Sequence, residues 1–190
     1  MKLLFALSFA LSLNAQAFEI KESVDVALFE VDTEIGKENV KAYKGTLIDD
    51  EVEVSVLTEN SGTLTYGCHR HGPQIACHEE GHDHLAAVLK DLSLTTFDQM
   101  QAGSFAAILK FEKTLVQRGT NLAAISSYKV WTTPGTDDDD TLQEDHVDVW
   151  VRFDYHLNNS DKVVYVQCHE HGAGNLACHY QQTGNLEPQF

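Results

Sequence analysis

Positive charge is scarce in this chain: 13 lysines and arginines stand against 29 aspartates and glutamates, a formal charge of −16. Such a surface repels nucleic acid and anionic lipid, and it draws cations or basic partners. Long apolar runs are scarce too. The one compact run, Leu3 to Leu13, falls short of the ~20 residues that a spanning helix needs. Signatures of catalysis are also lacking. No serine nucleophile motif, phosphate loop, dinucleotide fingerprint or Cys-x2-Cys-His haem motif occurs. These absences point to a binding protein rather than an enzyme.

What is present begins with an export signal. Met1 and Lys2 give a positive start, Leu3 to Leu13 an apolar stretch, and Asn14-Ala15-Gln16-Ala17 a small-x-small site. That order reads as a signal peptide over residues 1–17, cleaved before Phe18. No cysteine stands near that point, which argues against lipid anchoring. Cleavage removes Lys2 and takes the formal charge to −17. The mature chain is expected to be periplasmic or extracellular, with no transmembrane segment. Its hydrophobic content of 43% is that of a folded protein. Its length suits one globular unit built from two packed halves, 18–92 and 93–190.

The halves are marked by an internal repeat. Cys68-His69-Arg70-His71-Gly72-Pro73-Gln74-Ile75-Ala76-Cys77-His78 returns as Cys168-His169-Glu170-His171-Gly172-Ala173-Gly174-Asn175-Leu176-Ala177-Cys178-His179. The second copy carries one extra residue at the tip. All four cysteines and six of the ten histidines lie in these copies. Before each copy the chain alternates polar and apolar, at Glu51 to Val56 and at Val147 to Tyr155. Turn signals follow at Asn60-Ser61-Gly62 and Asn158-Asn159-Ser160-Asp161, so each half reads as a three-stranded meander ending in a hairpin.

Further strands are expected at Phe18 to Val31, Val40 to Ile48 and Leu122 to Thr133. A helix is expected over 97–117, capped by Thr95 or Thr96. The acidic run within 136–144 lacks the ligand spacing of an EF-hand loop and reads as a solvated loop. The fold class is α+β, mainly antiparallel β: two pseudo-repeats, each ending in a disulfide-pinned β-hairpin, with a helix near 97–117.

Turn placement sets the hairpin register. A turn centred on Gly72-Pro73 sets Cys68 opposite Cys77, and the loop Gly172-Ala173-Gly174 sets Cys168 opposite Cys178. Directly opposed strand residues lie at bridging distance, so Cys68–Cys77 and Cys168–Cys178 are the expected disulfides. The cysteines share a face with Leu64 and Tyr66 and with Val164 and Val166. The histidines fall on the other face, because side chains alternate along a strand.

His69, His71 and His78 therefore form one imidazole patch, and His169, His171 and His179 a second. These are ligand types for zinc or copper. Aligning the apolar faces of the preceding strands sets Glu51 opposite His71 and Asp148 opposite His171, as a fourth ligand or an orienting carboxylate. If the halves pack with these faces together, one shared site results.

The same residues carry other readings. The histidines are polar decoration if the chain is a disulfide-stabilised envelope or secreted protein that binds another protein without metal. A zinc knuckle takes Cys68, His71, Cys77 and His78, with the equivalent second set, and requires free thiols. His82 and His84 extend the first patch or sit in a solvated loop, and His146 and His156 belong to a polar strand face.

Overall fold

The structure, a computed structural model, describes the backbone of residues 3–49, 51–71, 74–83, 97–119, 125–135, 147–171 and 175–189. Side chains are described from Glu19 onward within these segments, apart from those of 71, 80–83, 170, 171 and 175. The acidic run, both hairpin tips, His84 and His146 lie outside the described residues.

Helix α1 spans Leu3–Ile35 and corrects the strand expected at Phe18 to Val31. Val24, Val26 and Leu28 mimic a strand's alternation, yet Val26 is only half-buried while Ala27 is wholly enclosed. The buried set Ile20, Val24, Ala27, Leu28 and Val31 follows i, i+4, i+7, i+8, i+11, which is one face of a helix. Helix α2 spans Phe97–Gln117, as the sequence predicts, and buries Met100, Ala107, Phe111 and Leu115. Among the described residues no helix is long and apolar enough to cross a membrane.

Among the described residues there are eight strands, four after each helix: β1 Val40–Ile48, β2 Glu51–Thr58, β3 Gly62–His71 and β4 Gln74–Asp83 after α1, and β5 Ile125–Pro134, β6 Val147–Leu157, β7 Ser160–His171 and β8 Asn175–Gln181 after α2. They form one sheet in the order β4-β3-β2-β1-β5-β6-β7-β8. Every neighbouring pair is antiparallel. Each helix thus precedes a four-stranded meander, one strand more than expected, because β1 and β5 join the meanders in the middle. Their register sets Ala42 against Trp131 and Gly45 against Tyr128.

Both helices lie on one face of the sheet, α1 over β1–β4 and α2 over β5–β8. The main core fills this layer, with Phe111 stacked on Phe153 at 4.7 Å between ring centres. The opposite face carries a smaller cluster of Ala42, Leu57, Trp131, Trp150 and Tyr165. The C-terminal segment crosses it. Trp131 Nε1 donates to Asn185 O at 2.8 Å. Glu187 accepts from Lys129, Arg152 and Tyr165 at 2.9, 2.9 and 3.0 Å.

Candidate functional site

The two hairpins stand at opposite edges of the sheet. Cys68 pairs with Cys77 and Cys168 with Cys178, the expected register in both. Both pairs are disulfides, with S–S distances of 2.06 and 2.07 Å. Cys68 and Cys168 are buried in the helix-side core. On α1, Ser23 O lies 3.7 Å from Cys68 Sγ and 3.5 Å from Cys77 Sγ. All four sulfurs are therefore consumed, and the zinc-knuckle reading falls. Thiolate is not available, and sulfur and imidazole lie on opposite faces.

The imidazoles meet across each hairpin on the face away from the helices. His78 sits opposite Gly67 and so diagonally beside His69; their ring centres are 5.4 Å apart. His179 sits opposite Gln167 and diagonally beside His169, with ring centres 5.2 Å apart. His78 and His179 are exposed, and His69 and His169 are partly covered. His71 and His171 end their strands two residues beyond His69 and His169, on the same face by register; their side chains lie outside the described residues.

The acids depart from expectation. Val52 pairs with Cys68, which carries Glu51 to the position beside His69 rather than His71. Val149 pairs with Cys168, which brings Asp148 beside His169 rather than His171. Both turns explain the shift. The β6–β7 turn is Asn158-Asn159, with φ of 52° and 58°, the left-handed pair that a two-residue hairpin demands and that asparagine tolerates. The β2–β3 turn ends on Gly62 at φ 75°, which pairs with Thr58 and starts the strand one residue early. Because the partner moves by two residues, each acid keeps its face and changes only its neighbour.

The two acids differ in setting. Glu51 is exposed. Asp148 is buried, its side chain only 3% accessible, and its Oδ1 lies 3.4 Å from His169 Nδ1. Its Oδ2 accepts from Gln167 Nε2 at 2.8 Å, and Gln167 Oε1 accepts from Gln181 Nε2 at 2.6 Å. This chain of amides anchors the carboxylate beside Nδ1 of His169. The two glutamines escape the sequence reading, although Gln167 shares the parity of His169. His156 stands apart from both patches, with Nδ1 3.0 Å from Asp161 Oδ1.

Five strand spacings separate β3 from β7, about 24 Å along the sheet at ~4.8 Å each, so the patches are distinct rather than shared. Among the described residues no three His, Cys, Asp or Glu side chains converge as a ready-made metal set. What each hairpin offers is a pair. Two imidazoles on one tetrahedral ion, at Zn–N of about 2.0–2.1 Å, hold their ring centres about 5 Å apart. Both pairs lie close to that separation. The chain matches no protein-family model, no curated protein and no solved structure.

Proposed function

We propose that this is an exported zinc- or copper-binding protein with one imidazole site on each disulfide-pinned hairpin. The reading rests above all on the His69/His78 and His169/His179 pairs, at 5.4 and 5.2 Å between ring centres. His71 and His171, next in register, supply the third ligand, and Asp148 orients His169. Glu51 takes the equivalent position in the first site. Two disulfides fit an oxidising compartment outside the cytoplasm. The repeated order of helix, four-stranded meander and Cys/His hairpin supports an origin by duplication.

A second reading has its own support. Phe105, Leu109 and Val116 form an exposed apolar stripe on α2, at 52%, 48% and 62% accessibility. A disulfide-stabilised protein that docks a partner without metal would present such a stripe. Metal analysis separates the two. The protein, purified from an oxidising compartment and loaded with zinc or copper after chelation, should hold up to two equivalents by mass spectrometry. A folded His69/His78/His169/His179→Ala variant should hold none. Equal uptake by parent and variant, or none by the parent, would sink the metal reading.

A further inference from the structure

A cleft of about 550 Å³ opens between α1 and α2, on the face away from the histidines. It lies within the size range of small-molecule sites. Its floor is the central strand pair, where Tyr43 of β1 and Tyr128 of β5 meet edge to face at 6.5 Å. Asp25 and Lys21 of α1 stand on one side, Asp98 and Phe105 of α2 on the other.

The hydrogen bonds give the cleft a polarity. Tyr43 OH donates to Ser104 Oγ at 3.1 Å, and Ser104 Oγ donates to Gln101 O at 3.0 Å. Both protons point into the protein, so the Tyr43 oxygen offers lone pairs. Tyr128 is only 4% exposed, lines the cleft, and its hydroxyl has no hydrogen-bond partner among the described residues. The Asp25 charge reaches both phenols and, after burial itself, helps to hold them in the neutral form. Lys21, the ammonium lining the cleft, is tied to Asp25. The wall thus presents the two phenol oxygens, aromatic rings, the half-exposed Phe105 and two carboxylates in exposed, weak lysine pairs, Asp25 with Lys21 and Asp98 with Lys37.

We propose that this cleft binds a protonated organic amine carried on an apolar or aromatic body. The ammonium donates to the Tyr128 oxygen and lies near Asp25, while the apolar body packs against Phe105. The excess of acidic residues across the chain raises the local cation concentration.

Three isosteric probes test this on the full, disulfide-intact chain in the presence of chelator, which keeps the histidine sites out of the readout. Calorimetry or NMR titration should show benzylamine saturating the cleft, with benzyl alcohol at least about fivefold weaker and benzoate weaker still. Tyr128→Phe and the surface change Asp25→Asn should each weaken benzylamine at least about threefold. Phe105→Ala, at an exposed position, should weaken all three probes alike. Equal affinity for amine and alcohol would overturn the proposal. So would the absence of saturation up to about 10 mM, or an unchanged affinity in Asp25→Asn.

Discussion

Tyr66 is buried in the helix-side core at 2% exposure, and its hydroxyl has no hydrogen-bond partner among the described residues. Burial pushes the phenol up to about 12, with smaller contributions from Glu34, Glu79 and Glu30. An unfolded tyrosine releases its proton near pH ~10. Between these two values the unfolded chain binds fewer protons than the folded one, so stability falls as pH rises. Tyr43 and Tyr128 are shifted in the same direction, chiefly by burial. Urea unfolding should therefore show a steep loss of stability between about pH 10 and 12, and Tyr66→Phe should make that loss shallower. An identical slope in the variant would remove Tyr66 from this account. The cysteine pairing was legible residue by residue because a tight turn sets the register locally. The acid partners were not, since the choice between Asn158-Asn159 and Asn159-Ser160 rests on which residues accept a positive φ.

Elements pack through glycine at two contacts. A Cβ on Gly103 of α2 would lie 2.6 Å from both Cβ and Cγ1 of Val149 on β6. A Cβ on Gly45 of β1 would lie 2.7 Å from Val24 Cγ2 and 2.8 Å from Ile20 Cγ2 on α1. Alanine normally favours a helix interior over glycine by about 1 kcal/mol. Here overpacking reverses the sign, and Gly103→Ala should destabilise by about 1–3 kcal/mol in chemical denaturation. A stabilised variant would mean that α2 rides farther from the sheet. The bounds of helix α2 were readable from apolar spacing, but its buried face was not: Met100, Ala107, Phe111 and Leu115 are enclosed, while the equally apolar Phe105 and Leu109 are exposed. Helix α1 was misread because Val24, Val26 and Leu28 satisfy a strand's alternation. The choice between the two periods is made by Ala27, a small residue that carries little signal on its own.

At the scale of the whole molecule, the C-terminal segment locks the centre of the sheet. Glu187 joins Lys129 of β5, Arg152 of β6 and Tyr165 of β7, and Pro188 O accepts a further bond from Lys129 at 3.0 Å. Gly184 passes so close that a Cβ would meet the Tyr165 ring at 2.8 Å and the Trp131 ring at 2.9 Å. Burial raises the Glu187 carboxyl, but the hydrogen bonds from Lys129 and Arg152 outweigh it and leave the pKa below its usual value. The latch therefore contributes stability above about pH 4.5 and loses it as pH falls through the depressed folded value. Glu187→Ala should cost about 2–3 kcal/mol and shift tryptophan emission toward that of exposed indole. Parental stability and emission in the variant would show that the segment merely lies on the surface.

Local chemistry alone determined the hairpins, both sulfur pairings, the opposite facing of cysteine and histidine, and the helix at 97–117. Each depends on neighbours within a turn or on the two-residue alternation of a strand. Only the tertiary structure decided that β1 meets β5, that the histidine patches stand at opposite sheet edges, and that Tyr43 and Tyr128 floor a cleft between helices. It also decided that the C-terminal segment closes over Trp131. These features join residues far apart in the chain, where no spacing rule applies and the packing of whole elements selects the partners.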